Sequence, residues 1–117
     1  MFLDYKQISH LFIVCGKTDL RKGIDGLASI VQHEYQLDVY DNALFLFCGG
    51  RQDRFKMLYY DKDGFLLLYK RLDQGKLLWP RTKKEVRRLT HQQIRWLLEG
   101  LSIDQPRAIR AGKQGVF

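Results

Sequence analysis

At 117 residues the chain has room for one domain, and its 45% hydrophobic and 13% aromatic content supports a core. That composition excludes a disordered basic tail and a collagen-like chain, and no internal repeat points to a solenoid. The net charge is +7, while the longest apolar runs, Leu44–Cys48 and Phe65–Tyr69, fall far short of the ~18 residues that span a bilayer.

His10–Cys15 reads as a short buried strand ended by Gly16. Thr18 or Asp19 is placed to cap a following helix, whose apolar stripe is Ile24, Leu27, Ala28, Val31 and Tyr35. Gly23 and Gly26 would weaken that helix by roughly 1 kcal/mol each relative to Ala, so they mark either close packing or a later helix start. Ala43–Cys48 is a second apolar strand, closed by Gly49-Gly50. Arg54–Tyr60 and Phe65–Arg71 form a predicted hairpin around Asp61-Lys62-Asp63-Gly64, with Gly64 able to take positive φ.

If Tyr60 pairs with Phe65, then Phe55, Met57 and Tyr59 share the core face with Leu66, Leu68 and Lys70. Arg54, Lys56, Tyr69 and Arg71 lie on the other face, and Arg54 opposes Arg71. Like charges directly opposite destabilise a sheet, so either the register differs or that end holds an anion.

Asp73-Gln74-Gly75 is a further turn, and Lys76–Trp79 a short strand stopped by Pro80. Arg81–Arg88 reads as a loop or short strand. Thr90 and Gln93 form a capping box for the last helix, with Leu89 and Ile94 in the staple positions. Ile94, Leu97, Leu98 and Leu101 make its buried stripe, and Gly100 suits its end. The expected fold is α+β, with a mainly antiparallel sheet of four to five strands and two principal helices. Residues 1–106 are expected to form the domain, and 107–117 a flexible tail.

The charge is unevenly placed. Residues 1–50 carry a net −2 and residues 51–117 a net +9. The basic residues Arg51, Arg54, Lys56, Lys70, Arg71, Lys76, Arg81, Lys83, Lys84, Arg87 and Arg88 are interleaved with Tyr59, Tyr60, Tyr69 and Trp79. Cations neutralise phosphates and aromatic rings stack on bases, so this set forms the candidate DNA-binding surface.

Other chemistries fit less well. Gly16-Lys17-Thr18 lacks the earlier glycine of a phosphate loop, since Leu11 stands there. Lys17, Arg21 and Lys22 could hold a phosphate near a helix start, but they read more simply as an exposed helix entry. Cys15 and Cys48 read as buried thiols at strand ends, not as a disulfide, and with His10 and His33 they lack zinc-ligand spacing. No serine sits on a nucleophile elbow, and although Lys17 could lower the Cys15 pKa, no histidine is motif-linked to it. The carboxylates read as caps, turn residues or arginine partners, Asp53 among them, so no catalytic or metal-binding residues and no cofactor are expected.

Three segments carry a resemblance: CGKTDLRKGIDGLASIVQ from Cys15, LFLFCGGRQDRFKMLYYDKDGFLLLYKRLDQGKLLWP from Leu44 and LTHQQIRWLLEGL from Leu89. In order and spacing the chain resembles the accessory protein of insertion-sequence-66 elements, the second-open-reading-frame or TnpB family, from roughly Leu11 to Pro106. It does not resemble the far larger RNA-guided nuclease that shares the TnpB name. Gly50 stands where the family more often has a basic residue, and Tyr60 where it often has tryptophan.

The resemblance implies a bacterial protein needed beside a separate, larger transposase that performs the strand chemistry. The expectation is a cytosolic, non-catalytic accessory of DNA transposition, with no signal peptide and no membrane partner. It would contact element-end DNA through its basic face and the transposase through another surface, which the acidic N-terminal half could supply. The alternatives are a protein-interaction module that meets an acidic partner without touching DNA, and a small metal-dependent nuclease.

Overall fold

A computed structural model describes residues 3–106; the expected tail, 107–117, lies outside the described residues. A five-stranded sheet has the order β4-β3-β2-β1-β5. Its strands are β1 (His10–Val14), β2 (Ala43–Phe47), β3 (Arg54–Asp61), β4 (Gly64–Arg71) and β5 (Val86–Leu89). Three pairings are antiparallel, and β1 with β2 is parallel. A parallel pair needs a crossover, supplied here by α1 (Ile24–Ser29) and the π-helical turn Ile30–Glu34. α2 is His91–Leu98. Among the described residues no helix is long and apolar enough to cross a membrane.

Alternation along the strands feeds two cores. Leu11, Ile13, Leu44, Leu46, Phe55 and Met57 face α2, Leu77 and Trp79, while Val14, Phe45, Phe47 and Leu58 face Leu27 and Val31 of the crossover. β2 is buried at every residue, as a strand covered on both faces should be.

The hairpin has the expected register, with Tyr60 opposite Phe65 and Arg54 opposite Arg71. Asp61 pairs with Gly64, so the loop has only two residues. The left-handed residue is therefore Lys62, at φ 56°, not Gly64, which belongs to the strand. Lys76–Trp79 is not a strand. Its ladder partner is replaced by Gln52, whose carbonyl accepts from Leu77 N–H (2.7 Å) and whose side chain accepts from Trp79 N–H (3.1 Å). Trp79 packs into the core and its indole N–H donates to the Val14 carbonyl at 3.0 Å. Arg81–Arg88 divides into a loop and, from Val86, the edge strand β5.

α1 begins later than a cap at Thr18 or Asp19 would place it, with Gly23 before it and no side-chain cap. In α2, Thr90 Oγ1 accepts from Gln93 N–H (3.0 Å) and Gln93 Oε1 accepts from Thr90 N–H (2.9 Å). Gly100, at φ +82°, ends the helix, and Leu101 is exposed instead of completing the apolar stripe. Thr90→Ala removes one reciprocal bond and should lower stability by about 1 kcal/mol, read from urea denaturation.

Candidate functional site

Because β1 and β2 are parallel neighbours, their carboxyl ends open side by side. Open sheets present ligand-binding loops at such ends. Two loops emerge there, Cys15–Lys22 and Cys48–Arg51, beside the start of β3 and the end of β4. Thr18 N–H donates to the Cys48 carbonyl at 2.8 Å and ties them together.

Asp19 caps a turn of its own loop, not the helix. It accepts from Arg21 N–H at 3.0 Å and takes the Arg21 guanidinium in two contacts of 3.0 and 2.9 Å. Those bonds hold its carboxyl down at about 2, below the ordinary 3.8. The loop charge pair is thus present above the ordinary value and lost only as pH falls through about 2.

Glycines set the approach of the two loops. A Cβ on Gly49 would meet the Thr18 carbonyl oxygen at 3.2 Å and Leu20 Cγ at 3.3 Å, and one on Gly50 would meet Lys17 Cε at 3.0 Å. A side chain at Gly49 presses on the Thr18 backbone, whereas one at Gly50 only displaces the end of the Lys17 side chain.

Between these loops and the open end of the hairpin lies a cleft of about 890 Å³. Five cationic side chains line it, namely Lys17, Arg21, Arg51, Arg54 and Lys56, against one carboxylate, Asp19. Its apolar lining is Leu20, Leu67 and Tyr69. Lys56 Nζ lies 5.8 Å from the centre of the Tyr69 ring and donates to the Lys22 carbonyl at 3.1 Å.

The opposed Arg54 and Arg71 are reconciled by a third group. Asp53 accepts from Arg54 at 2.9 and 3.2 Å, and this pairing holds the Asp53 carboxyl below its ordinary range. Asp53→Asn keeps the shape and removes the charge from beside Arg54. If the cleft takes an anion, this variant should bind it a few-fold more tightly in a fluorescence titration.

Of the residues singled out from the sequence, Arg51, Arg54 and Lys56 line the cleft, with Arg71 across from Arg54. The others are dispersed. Lys70 pairs with Phe55 and so belongs to the opposite face. Lys76 sits at a separate, smaller crevice with Arg51 and Asp53. Arg81 donates to the Gly49 carbonyl and thereby braces the second loop. Lys83 pairs with Glu85 at 3.6 Å, and Lys84 packs behind the first loop against Gly16. Arg87 makes a bidentate pair with Asp104 at 2.8 and 2.9 Å. Arg88 shares a crevice with His10 and Asp41. β5 stands four strand spacings from β4, about 19 Å.

Lys17 and Arg21 join the site although they read as a helix entry. Their signal is basic residues directly after an apolar strand closed by glycine.

Burial, then Glu85, pushes the Cys15 thiol up to about 11, reversing the lowering that nearby Lys17 could cause. Among the described residues no three His, Cys, Asp or Glu side chains cluster as metal ligands.

The sequence pattern of the family described as IS66 Orf2 like protein matches residues 9–108. The chain is 33% identical over 96 residues to the uncharacterized protein y4hO of Sinorhizobium fredii (strain NBRC 101917 / NGR234), covering 82% of this chain and 84% of that protein. It is 29% identical over 91 residues to the uncharacterized protein y4jC of the same strain, covering 78% of each. No solved structure gives a significant match.

Proposed function

The chain belongs to the IS66 Orf2-like family of transposition-associated accessory proteins, and from that premise we propose that it binds element DNA through the cleft and catalyses no step itself. The observation that supports this reading most is the convergence of Lys17, Arg21, Arg51, Arg54 and Lys56, drawn from three separate segments, on one concave surface. Asp19 and Asp53 offset Arg21 and Arg54, which leaves Lys17, Arg51 and Lys56 to attract an incoming anion. A phosphodiester backbone supplies that charge at regular spacing.

Of the wider basic set, Arg71 extends the cleft rim, whereas Lys70, Lys83, Arg87 and Arg88 contribute general field more than direct contact. The transposase is the proposed second partner, met on a surface away from the cleft. Gel shifts on element-end DNA at rising salt test the reading. Binding should weaken steeply with salt, and Arg87→Ala with Arg88→Ala should change it far less than Arg51→Ala with Lys56→Ala. Equal effects, or no binding at low salt, would sink the assignment of the cleft.

A further inference from the structure

Resting on the DNA-binding reading of the cleft, we infer that its ligand is single-stranded DNA, with an unpaired base against Tyr69 and the flanking phosphates among Lys17, Arg51 and Lys56. A surface that only neutralises phosphates needs no apolar floor. This one has Leu20, Leu67 and Tyr69 between its cations. Tyr69 is 54% exposed, a large aromatic surface left open at the centre of a charged site.

Its position follows from the register. Tyr69 lies opposite Lys56 and two residues from the Arg54–Arg71 pair on the same face, so the ring stands next to three cations of the hairpin. The cleft is open to solvent along one side and about 890 Å³, with room for an unstacked base. A duplex keeps its bases stacked inside and would offer only its outer phosphates to the rim, leaving the floor unfilled. A single strand can turn a base inward, and base–aromatic stacking accepts any of the four bases. Lys56 Nζ lies over one face of the Tyr69 ring, 5.8 Å from its centre, so the base would stack on the other face with the cation opposite it.

The test is fluorescence anisotropy with a labelled single strand of about 12 nucleotides and with its duplex. The wild-type chain should bind the single strand more tightly. Tyr69→Leu should weaken single-strand binding by about tenfold and duplex binding by less than about twofold. Tyr69→Phe and Tyr69→Trp should retain it. Because Tyr69 is exposed, the variants should melt close to the wild-type temperature, which circular dichroism verifies.

Equal affinity for both forms, or no effect of Tyr69→Leu, overturns the inference. Should Arg51→Ala with Lys56→Ala still weaken binding in that event, the phosphate reading survives alone. If those basic changes also leave binding unaltered, the DNA reading itself fails. Poly-glutamate binding as tightly as the single strand would point instead to an acidic protein partner and overturn both.

Discussion

Changing Lys17, Arg51, Arg54 and Lys56 together to Ala should weaken DNA binding on the order of 100-fold at physiological salt. It should also flatten the dependence of log affinity on log salt by about 3 units. The slope is the sharper readout. Each phosphate contact releases counterions and contributes about 0.7 to 0.9 to it, so four lost contacts give that change whatever the DNA sequence. Lys17 and Arg51 are exposed, and the four side chains sit at the cleft instead of in either core, so the fold should persist. Lost affinity with an unchanged slope would mean that the substitutions act through shape and not through phosphate contact.

The second large effect is on stability. Phe45→Ala should cost about 3 to 5 kcal/mol, a substantial part of the ~5 to 15 kcal/mol of a typical domain. Phe45 lies mid-way along the central strand, is 1% exposed, and stacks on Phe12 with ring centres 5.2 Å apart. It also packs in the cluster that holds Leu27 and Val31 of the crossover, so the cavity cannot close without moving α1 against the sheet. A thermal melt should fall by roughly 15 to 30 °C. A loss of only a few degrees would show that the crossover can collapse onto the gap.

Local chemistry explains which parts of this structure could be read in advance. The hairpin register follows from turn residues set between two alternating strands, and the α2 entry from a capping box and staple within six residues. Both depend on neighbours in the chain. The β1–β2 pairing joins strands separated by the whole crossover, and their apolar runs are the same whether the pairing is parallel or antiparallel. The site divides in the same way. Arg54, Lys56 and Tyr69 belong to the legible hairpin. Lys17 and Arg21 do not, because their loop reaches the cleft only through the parallel pairing and the room left at Gly49 and Gly50. Arg87 looks free in the sequence because its partner, Asp104, lies 17 residues away beyond a helix. Charge counting locates a basic half of the chain, while the ion pairs decide which cations remain available.

The attachment of the first cleft loop has a consequence for synthesis on the ribosome. Cys15 N–H donates to the Glu85 carbonyl at 2.7 Å, Gly16 N–H to the Pro80 carbonyl at 2.8 Å, and β1 finds its outer partner in β5. Every one of these contacts joins the first sixth of the chain to its last third. Such distant pairings form late, after the loop-closure entropy has been met. A nascent chain that ends before Leu89 therefore carries most of the basic residues and can tie the first loop to Cys48 through Thr18, but its β5 ladder is incomplete. The outer brace of the first loop is complete only once translation has passed that point, which separates the finished fold from its charged, unfinished precursors.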